Sequence, residues 1–195
     1  MAKLESSMNF KLMSLAFKIR DFISPRINVL KEVGIKPGNT VLDYGCGSGS
    51  YIVPLSSLIG MSGEIFALDL HPLAIKSVQD IASKNKLGNV KTIHSNCDTG
   101  LPDQSVNVVL LYDTYHDLNN PDDVLQEINR ILKAQGILSF SDHHMRDKEI
   151  RENILSNNLF KLMNYPAAEL RGIKMNFYLI NPDAKHRGIL LIKKE

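Results

Sequence analysis

Three aspartates and three glycines, all ahead of Gly100, have types and spacing that suit the binding of a nucleoside-like ligand. Asp43 closes a short apolar run, Thr40 to Leu42, and is followed at once by Gly45, Gly47 and Gly49 alternating with small residues. Such a loop turns sharply, exposes backbone N–H groups and lets a ligand approach where a Cβ would collide. Asp69 follows about twenty residues beyond the loop, the spacing at which a carboxylate reaches the two hydroxyls of a ribose. Asp98 closes the next strand-like segment. Taken alone, the glycines also suit a tight turn with no ligand; the second acid makes a ligand site the better reading.

A second set of polar residues lies further along. Val106 to Tyr112 is a near-continuous apolar run that delivers Asp113, Thr114, Tyr115, His116 and Asp117 to one edge of a sheet, and Ile137 to Ser141 delivers Asp142, His143, His144 and Met145. His116 and His143 are the candidate catalytic groups, as imidazoles able to take a proton from an acidic acceptor. The same histidines also suit polar loop residues or helix caps. On an extended chain His143 and His144 point apart, so only one of them is expected to face a pocket. A metal site from His116, Asp142 and one of His143 or His144 matches no recognised ligand spacing, so the expected metal count is none.

The elements that position these residues alternate. Thr40–Asp43, Glu64–Leu70, Val90–His94, Val106–Tyr112 and Ile137–Ser141 read as strands, and the runs without alternating polar residues suit strands buried on both faces. Helices are expected after the glycine loop from Ser50 to Leu58, with Pro54 in its first turn, from Pro72 to Ala82, and from Pro121 to Leu132, with Ala134-Gln135-Gly136 as the exit. Met8 to Phe22 is dense in apolar residues, among them Met8, Leu12, Leu15, Phe17 and Ile19, and suits a helix packed over the substrate pocket. Its lysines and arginines leave a membrane-surface role as the alternative. Ser24-Pro25 ends it, and Arg26 to Val33 is a second short helix before Gly34.

The expected fold is therefore α/β: a three-layer, Rossmann-like, seven-stranded, mostly parallel sheet with a short N-terminal helical cap. Residues 1–34 form the cap, and residues 35–195 form the ligand-binding part of a single compact domain. A short strand near Phe160 to Met163 and a last one from Gly188 to Lys193 complete the sheet, with Met175 to Ile180 competing.

Composition narrows the function. The chain has 195 residues, 44% hydrophobic and 23% charged, with a formal net charge of +2. So mild a charge does not suggest a nucleic-acid partner. Two cysteines, Cys46 and Cys97, make no disulfide framework, and no apolar run reaches the eighteen or so residues of a membrane span. A cytoplasmic location is the expectation.

Four segments, Val-Leu-Asp-Tyr-Gly-Cys-Gly-Ser-Gly, Ala-Leu-Asp-Leu-His-Pro, Cys-Asp-Thr-Gly-Leu-Pro-Asp-Gln-Ser-Val and Glu-Ile-Asn-Arg-Ile-Leu-Lys-Ala-Gln-Gly-Ile-Leu, resemble in order and spacing the class I S-adenosylmethionine-dependent methyltransferases. The likeness covers about Lys36 to Ser141 and is strongest to the small-molecule enzymes of the ubiquinone/menaquinone biosynthesis group. The resemblance implies S-adenosylmethionine as cofactor and a small-molecule methyl acceptor, lipid-like or quinone-like. It implies that the loop of Tyr44, Gly45, Gly47 and Gly49 supports the methionine part, that Asp43 holds the amino group, and that Asp69 takes the ribose hydroxyls with Leu70 against the adenine. Asp98 would accept from the exocyclic amine, Cys97 would line the adenine pocket, and Tyr112 would lie near the methionine end. Asn107, where many relatives carry Asp, and Ala134-Gln135, in place of Pro-Gly, depart from the pattern.

Other readings fit less well. A nicotinamide dehydrogenase would need a third glycine where Ser50 stands and has no use for Asp98. Asp113-Thr114-Tyr115-His116 is not the motif of nucleic-acid amino methylases, and a single spare cysteine argues against thiolate-driven arsenic chemistry. A cofactor-binding sensor or assembly protein without transferase activity is the alternative from a different class. Peripheral membrane contact through the first helix is a further possibility, and the oligomeric state is left open.

Overall fold

The structure, a computed structural model, describes residues 7–23, 26–156, 158–162 and 189–193. After two N-terminal helices, α1 (Ser7–Ile23) and α2 (Ile27–Glu32), the chain alternates β1 (Thr40–Tyr44), α3 (Ile52–Ile59), β2 (Glu64–Asp69), α4 (Pro72–Lys84), β3 (Val90–His94), β4 (Val106–Tyr112), α5 (Pro121–Ile131) and β5 (Leu132–Ser141). Then come α6 (Asp147–Leu155), β6 (Phe160–Leu162) and β7 (Ile189–Lys193). The break expected at Ser24-Pro25 and the competing strand at Met175 to Ile180 lie outside the described residues.

The strands form one sheet in the order β3-β2-β1-β4-β5-β7-β6. β1 to β5 pair in parallel, while β7 runs antiparallel to β5 and β6 antiparallel to β7. β1 is buried from Val41 to Tyr44, and β4 at every position but Asn107. Strands so buried need apolar residues on both sides, which is why they read as runs rather than alternations. Alternate residues serve two layers. Leu42 and Tyr44 join the core with Val109, Leu125 and Phe140, whereas Val41 joins Ile52, Val78 and Leu110 on the other face. The strand order reverses between β1 and β4, where ligands bind in open α/β sheets, beyond the strands' C-terminal ends.

Several local expectations are corrected. β5 begins at Leu132, directly after α5, instead of at Ile137. Leu132 already pairs with Val106, and the register then slips so that Ile137 pairs with Val108. Residues 133–136 form the bulge that absorbs the slip, with Gln135 at φ 59°, so Ala134-Gln135-Gly136 is an irregularity within a strand and not a helix exit. Asn107 is explained by its side chain, whose oxygen accepts from the Thr40 N–H at 2.9 Å and from the Lys133 ammonium at 3.1 Å. It ties three strands together without a negative charge at that point.

α1 departs most. Of the apolar residues that suggest a buried stripe, Met8, Leu12, Leu15 and Ile19 are 57 to 71% exposed. Apolar periodicity finds a stripe but not which side of the helix meets the domain. The docked side carries Phe10, which is 7% exposed and whose ring stacks on His71 with centroids 4.9 Å apart. No described helix is long and apolar enough to cross a membrane.

Candidate active site

Asp43 lies on β1 inside the protein, 3% exposed. Its Oδ2 has no hydrogen-bond partner. Burial, with the Asp69 carboxylate as the second cause, pushes its carboxyl up to about 7. A buried, unpaired carboxylate is costly unless something compensates it. A cationic group of a ligand would do so.

The loop beside it is held by its own backbone. Gly45 and Cys46 N–H both donate to the Leu68 carbonyl, at 2.8 and 3.0 Å, which fastens the loop across to the end of β2. Gly45 is also sterically obligatory: a Cβ there would lie 2.2 Å from Thr114 Oγ1. Gly47 differs. Its φ is +50°, and a Cβ would meet nothing nearer than the Gly45 carbonyl at 4.0 Å. Packing does not demand glycine there, whereas the left-handed backbone favours it.

Asp69 closes β2 and shapes the same loop. One oxygen accepts from Gly47 N–H at 2.9 Å and the other from His71 N–H at 2.7 Å. His71 in turn caps α4, its Nδ1 accepting from Leu73 N–H at 3.1 Å with Pro72 at the first helical position. Leu70 stands between Asp69 and this cap, and its carbonyl receives the His94 ring at 2.8 Å. Asp98 is exposed after β3 and closes an Asx turn by accepting from Gly100 N–H at 2.9 Å. Cys97 beside it is half-buried, and burial, then the nearby carboxylates led by Asp123, push its thiol up.

Tyr44 is expected with the cofactor but its side chain goes into the core layer. It is 2% exposed, and its hydroxyl donates to the Asn96 carbonyl at 2.9 Å. Successive strand residues face opposite sides, so if Asp43 borders the ligand, Tyr44 braces the strand behind it. Tyr112 shares Asp43's side. Its hydroxyl pairs with Ser139 Oγ at 2.6 Å, and its ring lies 5.2 Å from that of Tyr51. Burial pushes both phenols up, Tyr51 to about 12 against the opposing pull of the Arg26 guanidinium.

Arg26 is a buried cation near the loop that sequence reasoning missed. It reads as one more surface base, yet it is 5% exposed and pairs with Asp21 at 3.1 Å. A single arginine beside a helix break carries no pattern that would mark it. Through Asp21 and Tyr51 it couples the N-terminal helices to the residue that follows the glycine loop.

At the ends of β4 and β5 the expected histidines come together. His116 lies on a short 3-10 turn, Tyr115–Asp117. Its Nδ1 is 2.9 Å from Asp142 Oδ2, which also accepts its backbone N–H at 3.1 Å. His143 makes the same pair with Asp113, its N–H donating to Oδ1 at 3.0 Å and its Nδ1 lying 2.8 Å away. His144 sits between, its ring centroid 4.1 Å from that of His116 and 3.9 Å from that of His143. The expectation that adjacent histidines diverge is therefore corrected. Residues 143 and 144 occupy a turn, closed by Met145 N–H to the Asp142 carbonyl, and a turn does not alternate its side chains as a strand does.

The amino group and hydroxyls of a nucleoside-bearing amino acid fit what this crevice offers. Asp43 offers a buried carboxyl oxygen without a partner, Gly47 open space beside the backbone, and Asp69 a second carboxylate.

A family model described as a methyltransferase domain matches residues 35–180. A demethylmenaquinone methyltransferase of Geobacillus kaustophilus is 26% identical over 132 residues, which cover 67% of this chain and 56% of the relative. A ubiquinone/menaquinone biosynthesis C-methyltransferase, UbiE, of a Marinomonas species is 24% identical over 138 residues, 70% of this chain and 55% of the relative. The chain thus spans about half the length of the curated relatives it matches. Among solved structures, a SAM dependent methyltransferase from Aquifex aeolicus superposes with a TM-score of 0.62 at 27% identity, covering 93% of this chain and 98% of that one. A chain from the complex of the Haloferax volcanii Trm112 methyltransferase activator with a methyltransferase reaches 0.72 at 15% identity, covering 99% and 100%; at that identity the likeness concerns fold alone.

Proposed function

The chain belongs to the methyltransferase-domain family, of the class I S-adenosylmethionine-dependent kind, and on that premise we propose that it transfers a methyl group from S-adenosylmethionine to a small acceptor, lipid-like or quinone-like. The observation that carries the reading is Asp43: a buried carboxylate, one oxygen without a partner, beside a glycine loop whose Gly47 leaves open space. Bound there, S-adenosylmethionine supplies an electrophilic methyl on a sulfonium whose departure leaves a neutral thioether.

Asp43 would hold the cofactor's amino group, the charge its own environment lacks. Asp69 would accept from the ribose hydroxyls while keeping its bonds to Gly47 and His71, because an ionised carboxylate has about four lone-pair sites. Leu70 and Cys97 would border the adenine, Asp98 its exocyclic amine, and Tyr112 the methionine end. His116 and His143 would contact the acceptor. Nδ1 of His116 is committed to Asp142, so its Nε2, 3.4 Å from the exposed Asp117 carboxylate, would be the end that meets an acceptor. Little electrophilic help is needed when the leaving group is neutral, so positioning carries most of the rate; alignment of two reacting groups is worth roughly 7–11 kcal/mol.

The fold's two N-terminal helices would act as a cap over residues 35–195. The apolar stripe of α1 suits contact with a membrane that dissolves a lipid-like acceptor. A cytoplasmic location and the absence of a nucleic-acid partner complete the reading.

The test is calorimetric titration of the purified protein with S-adenosylmethionine and S-adenosylhomocysteine, beside Asp69→Ala and an NADH blank. Binding of both, lost in the variant and absent for NADH, supports the cofactor and justifies an acceptor screen. A folded protein that binds neither would overturn the proposal, and binding without turnover of any quinone-like acceptor would favour a sensor.

A further inference from the structure

We propose that Asp113, Asp142 and His143 form a binding site for a divalent first-row metal ion, at the C-terminal ends of β4 and β5. One donor atom from each of these three side chains lies within 4.8 Å of the other two. Metal–oxygen and metal–nitrogen bonds of about 2.0–2.2 Å set donors about 3–4 Å apart around one ion. Modest side-chain rotation therefore closes the set.

The fold brings the three together by register. Tyr112 pairs with Ser141 across β4 and β5, so Asp113 and Asp142 are each the first residue past the end of neighbouring parallel strands. Asp113 N–H donates to the Ser141 carbonyl at 2.8 Å and holds the two ends level. His143 follows Asp142 directly, and the turn folds its ring back until Nδ1 is 2.8 Å from Asp113 Oδ1.

Burial and orientation fit a ligand set. The Asp142 side chain is fully buried. His116 Nδ1 and N–H fix its Oδ2, and His144 N–H fixes Oδ1 at 3.0 Å. Metal-ligating carboxylates and imidazoles are held in this way by outer hydrogen bonds; Oδ2, with two bonds, is filled, and Oδ1, with one, keeps a lone pair for an ion. Charge points the same way. Two carboxylates stand side by side, and among the described residues their ion-pair partners are histidines, not lysine or arginine. A dication between them offsets the repulsion.

The donor chemistry selects the ion. Two carboxylate oxygens and one imidazole nitrogen suit manganese, iron, cobalt or zinc, whereas calcium prefers an all-oxygen shell. Asp113 and His143 are 40% and 61% exposed, so the ion keeps positions open to solvent. Those positions would accept water or an oxygen of a small molecule.

The site uses none of the residues assigned to the cofactor and shares His143 with the acceptor side, so its test reads metal uptake and not turnover. The full chain is stripped with a chelator, then titrated with Mn²⁺ and Zn²⁺ by calorimetry, with Mn²⁺ binding also followed by electron paramagnetic resonance. Asp113→Asn and His143→Ala are compared; both residues are exposed, so these variants avoid the folding risk of altering buried Asp142, and circular dichroism checks each fold. The expected result is one ion per chain, weakened at least about tenfold in each folded variant, with Ca²⁺ binding more weakly than either probe. Wild-type protein that takes up no stoichiometric ion at millimolar metal would overturn the proposal, and so would binding that both variants retain unchanged. Cofactor titration of the same samples reports separately on the methyltransferase reading.

Discussion

Replacing Asp43 by asparagine should stabilise the unliganded protein while weakening the cofactor's hold. The carboxyl's ordinary value of 3.8 is raised to about 7, first by burial and then by Asp69. A shift of roughly three units at 1.36 kcal/mol each makes the ionised form about 4 kcal/mol costlier in the folded chain than in the unfolded one. The sign follows from proton counting. Between about pH 4 and pH 7 the folded state keeps a proton that the unfolded state has lost, so stability falls as pH rises through that window and levels off above it. The amide of the variant does not titrate and carries no such slope. Denaturant melts of the wild type and Asp43→Asn at pH 5, 6, 7 and 8 should therefore diverge up to about pH 7 and then hold their separation. At pH 8 the variant should be more stable by up to about 4 kcal/mol, or roughly 10 °C in Tm for a chain of this size. The same substitution removes a charge-assisted bond worth about 1.5–3 kcal/mol, so affinity for S-adenosylmethionine should fall by at least about tenfold. A variant less stable than wild type at pH 8, or a difference that does not change with pH, would refute the burial argument.

Neighbouring residues give further outcomes. Gly47→Ala places its methyl in open space at the cost of a left-handed backbone, about 1–2 kcal/mol; it should fold and lose cofactor affinity by calorimetry. Gly45→Ala drives its methyl into Thr114, whose hydroxyl is bound to the Tyr112 carbonyl at 2.9 Å, so thermal melts should show the larger destabilisation of the two. His116→Ala should lower turnover once an acceptor is in hand and leave S-adenosylhomocysteine affinity within about twofold of wild type; equal loss of both would assign His116 to structure. Glu127, held down to about 2 chiefly by Arg130, stabilises the fold above the ordinary glutamate range. Acid titration should show that contribution lost as pH falls from about 4.5 through 2, and Glu127→Gln should remove that part of the slope.

The parallel core was legible because its strands are buried on both faces, and such strands have no alternative but apolar runs. Val106–Tyr112, buried at every position but Asn107, ends where its residue types say it should. The carboxylates at the strand ends were legible for the same reason: a charged residue that closes a buried run must sit at an edge. Legibility fails where neighbours in space are distant in sequence. His116 and Asp142 are 26 positions apart, and Arg26 meets Tyr51 from the far side of the whole first strand. Each meeting depends on the register of strands or the docking of a helix, and local patterning carries neither. α1 shows the same limit from the other side, since its stripe of Met8, Leu12, Leu15 and Ile19 has the spacing of a buried face and is exposed.

Position along the sheet edge would let one crevice hold two kinds of chemistry. β1 and β2 carry Asp43 and Asp69 beside a glycine loop, an environment that suits a cation and hydroxyls. β4 and β5 end in Asp113 and Asp142 beside three imidazoles, and there the acids are held by side chains and backbone from their own two strand ends. The order β2-β1-β4-β5 places these pairs next to one another along the edge, with Tyr112 at the junction. Its hydroxyl is fixed by Ser139 and its ring by Tyr51, so the junction is rigid. A methyl donor held by the first pair and an acceptor held by His116 and His143 beside the second would meet across a wall that does not give, which is the condition under which positioning alone lowers the barrier. Loosening that wall tests it: Ser139→Ala leaves the buried Tyr112 hydroxyl without its partner, which costs about 1–3 kcal/mol. Turnover should fall by more than cofactor affinity does, and an equal fall in both would place Tyr112 with the cofactor alone.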